Sequence, residues 1–213
     1  MAINSRLIII LSLGVILLIS LFFNFYQSHI DLEDVPVNSA PGAMFSIKYS
    51  GNNISQRIDT LLNKIEEMNL DENSSNLTEE DYDELNNLWR IIAGESHSMG
   101  FYIGNLPNRH PELSESMENK LNDLQYILLE LNKTIDIYKS RSIEQSDEEF
   151  YSFEKEDIER LEAISVAFKK IYQGVDANSA ELEIKPDLID SLTEPMMIVD
   201  DNYSEFIERK KTG

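Results

Sequence analysis

The residues in this chain whose types and spacing come nearest to chemistry are GESHSMG, Gly94 to Gly100. Ser96-His97-Ser98-Met99-Gly100 differs by one residue from the Gly-x-Ser-x-Gly elbow, which lifts a nucleophilic serine out of a strand-to-helix corner. Acyl transfer through Ser98 would need that strand, a glycine at each flank, and a histidine base oriented by a carboxylate. Here the first flank is Ser96, and the preceding LNNLWRIIA continues a helical pattern without a break. The three histidines are His29 in the N-terminal stretch, His97 adjacent to the serine, and His110 between helical patterns. A single short strand pattern is present where a hydrolase fold needs many, so the sequence does not read as an enzyme.

Metal and cofactor chemistry find equally little support. Carboxylate-bridged di-iron bundles use Glu-x-x-His pairs, and no histidine here has a Glu three residues before it. The acidic stretches beginning at Asp71 and Asp200 lack the central Gly and terminal Glu of a calcium loop. The chain contains no cysteine, which removes disulfides and thiolate metal sites from consideration. No cofactor or metal is expected. A net charge of -21, from 39 acidic against 18 basic residues, repels phosphate backbones, so nucleic acid is not an expected partner.

Residues 7–26, beginning LIIILSLGVILLISLFF, carry no charge and span about 30 Å as a helix, the thickness of a bilayer core. The apolar run is longer than a cleaved signal peptide's and is followed by Phe25, Tyr26 and Gln27 rather than small residues, so an uncleaved signal-anchor is expected. Arg6 precedes the span while Asp31, Glu33 and Asp34 follow it, which predicts the N-terminus in the cytoplasm and the remainder outside. Asn-x-Ser/Thr sites occur at Asn53, Asn73, Asn76, Asn132 and Asn202. A cysteine-free exterior suits a bacterial envelope at least as well as a secretory pathway.

The expected architecture is therefore all-α: a single transmembrane helix, then an antiparallel, four-helix extracytoplasmic bundle, then a partly structured C-terminal tail. The organisation reads as an anchor over 1–26, an extended linker over 27–43, a bundle over 44–174 and a tail over 175–213. Phe45, Ile47 and Tyr49 alternate with polar residues, as in a short strand or a strap across the bundle. A first helix follows from about Asn53 to Met68. The second opens on Thr78, with Asp81 completing a variant capping box, and places Leu85, Trp89, Ile92, Ser96, Met99, Ile103 and Leu106 on one seam until Pro107 stops it. The third enters at Pro111, with Met117, Leu121, Leu124, Leu128, Leu131, Ile135 and Tyr138 at heptad spacing. The fourth opens at Ser146 and buries Phe150, Phe153, Leu161, Ile164, Phe168 and Ile171 before Gly174 ends it. Short helices are expected around Pro186 to Leu192 and Glu194 to Val199. Through Leu188, Leu192, Met196 and Met197 this tail either covers one end of the bundle or stays mobile and folds onto a partner.

On the second helix, His97 and Ser98 turn away from the apolar seam. Glu95 is the only charged residue from Ile91 to Asn108. A helix poor in charge on both faces is usually covered on both. Gly94, Ser98, Gly100 and Gly104 then admit a close neighbour, either the chain's own N-terminal helix or tail, or another molecule. Glu95, His97, Ser98, Phe101 and Tyr102 are the candidate partner-binding residues. The expected role is a binding or accessory module for an envelope or membrane protein, anchored through residues 7–26, with a ligand-sensing ectodomain as the alternative.

Overall fold

The computed structural model describes residues 40–68, 78–111, 113–144, 153–176 and 183–212. The expected anchor, the linker up to residue 39, and the helix start at Ser146 lie outside these residues. Among the described residues, no helix is long and apolar enough to cross a membrane.

Four long helices run antiparallel: α1 Ala40–Glu67, α2 Glu79–Arg109, α3 Glu115–Glu144 and α4 Lys155–Gly174. Cross-helix pairs fix the register. Arg57 faces Glu95 and Lys64 faces Glu84 between α1 and α2, Ser96 meets Asn132 between α2 and α3, and Ser55 meets Ser165 between α1 and α4. The fold is thus all-α, with one small exception. A two-residue antiparallel ladder joins β1 Val175–Asp176 to β2 Glu183–Ile184. Three short helices then follow: α5 Leu188–Ser191, α6 Thr193–Val199 and α7 Tyr203–Thr212.

Where local chemistry specified a boundary, sequence and structure coincide. The Thr78 hydroxyl accepts from the Asp81 N–H while the Asp81 carboxylate accepts from the Thr78 N–H, 3.2 Å each way. The Thr78 hydroxyl, which donates to the Asp81 carboxylate at 2.6 Å, and then the Thr78 N–H hold the Asp81 carboxyl below its ordinary range, and the box satisfies donors that a helix start leaves open. All seven residues assigned to the α2 seam are buried, Ser96 included. So are the α3 seam residues except Met117, which is half-buried and packed against the core.

Four boundaries differ from expectation, each for a physical reason. Residues 45–49 form neither strand nor strap, because α1 begins at Ala40. Pro41 sits in the first turn, where its missing N–H costs nothing, and Met44, Ile47, Ile54 and Ile58 recur at helical spacing in the core. Phe45 and Tyr49 are one helical turn apart on the solvent side, so their alternation with Ile47 is coincidental. Helix α2 passes Pro107 and ends at Arg109; a proline in the last turn disturbs little that follows it. Helix α3 starts at Glu115, with Pro111 in the preceding turn and the Ser114 hydroxyl accepting from the Met117 N–H at 3.3 Å. Helix α4 starts at Lys155, where the Asp157 carboxylate accepts from the Glu154 N–H at 3.1 Å.

The tail docks. Leu188, Ile189, Leu192, Met196, Val199 and Tyr203 are buried, whereas Met197 is 57% exposed. Helix α4 has 20 residues against 30 for α3, leaving it about 15 Å shorter, and α5 and α6 pack against both helices in the seam between them. Lys120 on α3 donates to the Ile184 carbonyl at 3.0 Å, and Lys170 on α4 donates to the Ser191 carbonyl at 2.6 Å. The rings of Tyr126 and Phe206 stack 4.1 Å apart, which brings in α7, a helix the sequence pattern did not suggest.

Candidate functional site

The charge-poor half of α2 and the outer face of α3 enclose two adjoining grooves that share His97, Leu129 and Asn132. One, of about 400 Å³, is also lined by Gly100, Phe101, Gln125 and Tyr126. The other, of about 740 Å³, continues along α3 past Lys133, Asp136 and Ile137. Asn132, common to both, is paired with Ser96. Both side chains are buried, the Ser96 hydroxyl donates to the Asn132 carbonyl oxygen, and Asn132 Nδ2 donates back to the Ser96 backbone carbonyl at 3.4 Å. A reciprocal pair of this kind pins α2 to α3 in one register, since slippage would strand buried polar groups. Burial of Asn132 also removes it as a glycan acceptor, while Asn53 and Asn202 are exposed.

His97 Nε2 lies 3.0 and 3.1 Å from the two carboxylate oxygens of Asp136, and both side chains are about half exposed. Phe101 is 60% exposed, Leu129 62% and Ile137 51%. Apolar side chains thus alternate along the groove with a polar pair that can donate and accept.

The five candidate residues are not one cluster. His97 and Phe101 line the groove. Ser98 is mid-helix, its hydroxyl donating to the Gly94 carbonyl at 2.8 Å, a geometry unlike a strand-to-helix elbow. Tyr102 is half-buried against the core and meets Phe101 edge-on, with centroids 6.3 Å apart. Glu95 turns toward α1, its Oε1 3.8 Å from Arg57 Nε, while Oε2 is buried without a hydrogen-bond partner. Burial pushes the Glu95 carboxyl above its ordinary range, opposed by the Arg57 charge.

Among the described residues, the element that approaches Gly100 and Gly104 is α3. A Cβ on Gly100 would stand 3.2 Å from Asn132 Nδ2, and one on Gly104 would stand 2.6 Å from Gln125 Nε2. Nothing lies within 4 Å of a Cβ built on Gly94. Sequence reasoning missed Leu129, Asp136 and Ile137. Leu129 and Ile137 fall outside the heptad seam of α3, and their spacing of eight residues was the available signal that a second face carries apolar groups.

Among the described residues there is no group of three or more His, Asp or Glu side chains placed to hold a metal ion. Fold and grooves together define an antiparallel helical bundle closed by its own C-terminal helices, with an apolar-and-polar groove on the α2/α3 flank. Comparison with protein families, with curated proteins and with solved structures finds no match.

Proposed function

We propose that this chain is a single-pass protein of a bacterial cell membrane, its N-terminus cytoplasmic, whose exterior helical bundle is a binding or accessory module for an envelope or membrane protein. The observation that carries the reading is the α2/α3 groove, where Phe101, Leu129 and Ile137 present exposed apolar surface around the His97–Asp136 pair. Contiguous apolar surface of this kind, rimmed by polar groups, is typical of interaction sites. Tethering through residues 7–26 supplies the location such a module needs.

The test is affinity purification of the full-length chain from chemically crosslinked cells, beside Phe101→Ala/Leu129→Ala. Both substituted side chains are mostly exposed, so the thermal midpoint should move by no more than about 4 °C, given losses within about 0.5 kcal/mol at each of the two surface sites. A specific co-purifying protein should be depleted in the double variant. Equal recovery with both chains would sink the groove as the docking site. A groove of about 400 Å³ also falls within the range of small-molecule sites, which keeps a ligand-sensing ectodomain as the second reading. A thermal-shift screen of envelope metabolites that raises the midpoint of the parent chain but not the double variant would favour it.

A further inference from the structure

In a chain carrying 39 acidic residues, three long segments of the four-helix bundle contain none: Ala40 to Ile58, Ser96 to Pro111, and Ala163 to Val175. They are far apart in sequence, yet the antiparallel topology brings all three to the same end of the bundle. They form the first half of α1, the second half of α2 and the second half of α4. The opposite end of α1 and α2 holds Asp59, Glu66, Glu67, Glu79, Glu80, Asp81, Asp83 and Glu84. Along α1, α2 and α4 acidic charge is therefore confined toward the distal end, while α3 carries Glu115, Glu118 and Asp123 at the proximal one.

The α1/α4 flank shows that boundary sharply. Its distal groove is lined by Asp59, Glu66 and Glu162. About three and four turns back along α1, Tyr49 and Phe45 are 48% and 43% exposed, with ring centroids 4.1 Å apart. Lys48 lies beside them, its Nζ 5.5 Å from the centre of the Tyr172 ring on α4, and Lys169 stands at the edge of the distal groove. The acidic tail residues Asp187, Asp190, Glu194 and Asp200 belong to the elements packed in the α3/α4 seam, on the other side of α4. This is the end from which the chain leads back to residues 7–26, and residues 27–39 can span at most about 45 Å.

We infer that the proximal part of the α1/α4 flank, centred on Phe45, Lys48 and Tyr49, is a foot that rests on the anionic lipid headgroups of the bilayer holding residues 7–26. The inference depends on the anchor reading but not on the identity of any protein partner. Aromatic rings and lysines together match the chemistry of that layer: the rings sit at headgroup depth, and the ammonium groups meet lipid phosphates. With the acid-dense end and the acidic tail both turned from the surface, the contact avoids repulsion that this chain's net charge would otherwise impose. The α2/α3 groove lies on the opposite flank and faces away from the membrane.

The absence of cysteine makes the test direct. The full-length chain carrying Asn53→Cys, an exposed position one turn beyond Tyr49, is spin-labelled and reconstituted in nanodiscs of phosphatidylcholine and phosphatidylglycerol at three to one. Collisions with oxygen and with a water-soluble nickel chelate are then measured. Leu129→Cys on the far flank and Ser12→Cys within the anchor are the references. The label at position 53 should be shielded from nickel relative to position 129. Lys48→Glu/Lys169→Glu, or discs of phosphatidylcholine alone, should restore its exposure, since each basic residue near an anionic surface shifts the equilibrium roughly fivefold. Nickel access at position 53 equal to that at 129 in anionic discs would overturn the foot while leaving the anchor intact. Shielding in native membranes but not in purified anionic discs would overturn it too, by showing a protein cover. A label at position 12 that reads as aqueous would remove anchor and foot together.

Discussion

Along α1, helix α4 lies backbone to backbone. The Gly51 position stands so close that a Cβ would come within 3.0 Å of the Phe168 carbonyl and 3.4 Å of the Tyr172 nitrogen. The buried hydroxyls of Ser55 and Ser165 meet there at 3.0 Å, and Ser165 donates onward to Asp59 at 2.5 Å. Along α3, the same helix keeps its distance. That flank is joined distally by Arg141, which donates to both Asp157 oxygens at 3.1 and 3.3 Å, and proximally by the tail helices. One flank is thus closed by small residues and contact, the other by an inserted segment from elsewhere in the sequence. A seam of the first kind depends on a few atoms that cannot move; a seam of the second kind depends on whether the insert stays in place.

Deleting residues 185–213 should have the largest effect. The deletion removes the buried side chains of Leu188, Leu192, Met196, Val199 and Tyr203. At about 2 kcal/mol each their loss is on the order of 10 kcal/mol, comparable with the whole stability of an ordinary domain. The cooperative urea transition of the full chain, followed through the fluorescence of Trp89 in the core, should disappear. If the transition survives with an unchanged midpoint, the tail is a passenger and the α3/α4 flank closes without it.

Gly51→Val attacks the other flank. Its nearest neighbour is the Phe168 carbonyl, a backbone atom that cannot swing aside, so the cost should reach about 3 kcal/mol, the upper part of the overpacking range. A loss below about 1 kcal/mol would show that α1 and α4 separate easily, and the supposed difference between the flanks would shrink.

Alkaline pH should act on the inserted flank alone. Burial is the first cause that pushes the phenols of Tyr138, near Phe153 and Asp157, and Tyr203, in the tail, up to about 12. The unfolded chain releases these protons near 10 while the folded chain keeps them. Stability is accordingly full below pH 10 and falls as the pH rises from 10 toward 12. Each phenol should contribute a loss of about 2 kcal/mol across that window. Tyr138→Phe and Tyr203→Phe should each flatten the decline measured by urea titration from pH 9 to 11.5; an unchanged slope in both variants would refute the assignment.

The smallest expected change is a gain. Gly94 is inside α2 with open space around it, so Gly94→Ala should stabilise by about 1 kcal/mol by restricting the unfolded chain and favouring helix. The contrast with Gly51 separates a glycine required by a neighbour from one that is not, and a destabilised Gly94→Ala would mean that something covers the site.

How far the sequence could be read depended on the range of the interactions involved. The α2 start was legible because a capping box is complete within four residues. The α2 and α3 seams were legible because heptad spacing repeats over several turns. The start of α1 was obscured by Pro41 and Gly42, which suggest a linker wherever a helix has not already been recognised. The candidate site was half legible: His97 and Phe101 stand in the groove, but Asp136 and Leu129, contributed by α3, are more than thirty positions from His97 and share no local pattern with it.

By itself, the sequence determined the helical class, the antiparallel α2/α3 hairpin and the burial of their seams, since periodicity and short connections leave the chain little choice. It also determined the polar character of the exterior. Only the tertiary structure decided which helix the glycines of α2 face, that the tail fills the space α4 leaves beside α3, and that three acid-free segments converge on one end. Those outcomes depend on pairings between residues distant along the chain, and pairings of that kind are settled by which surfaces bury one another rather than by any local preference.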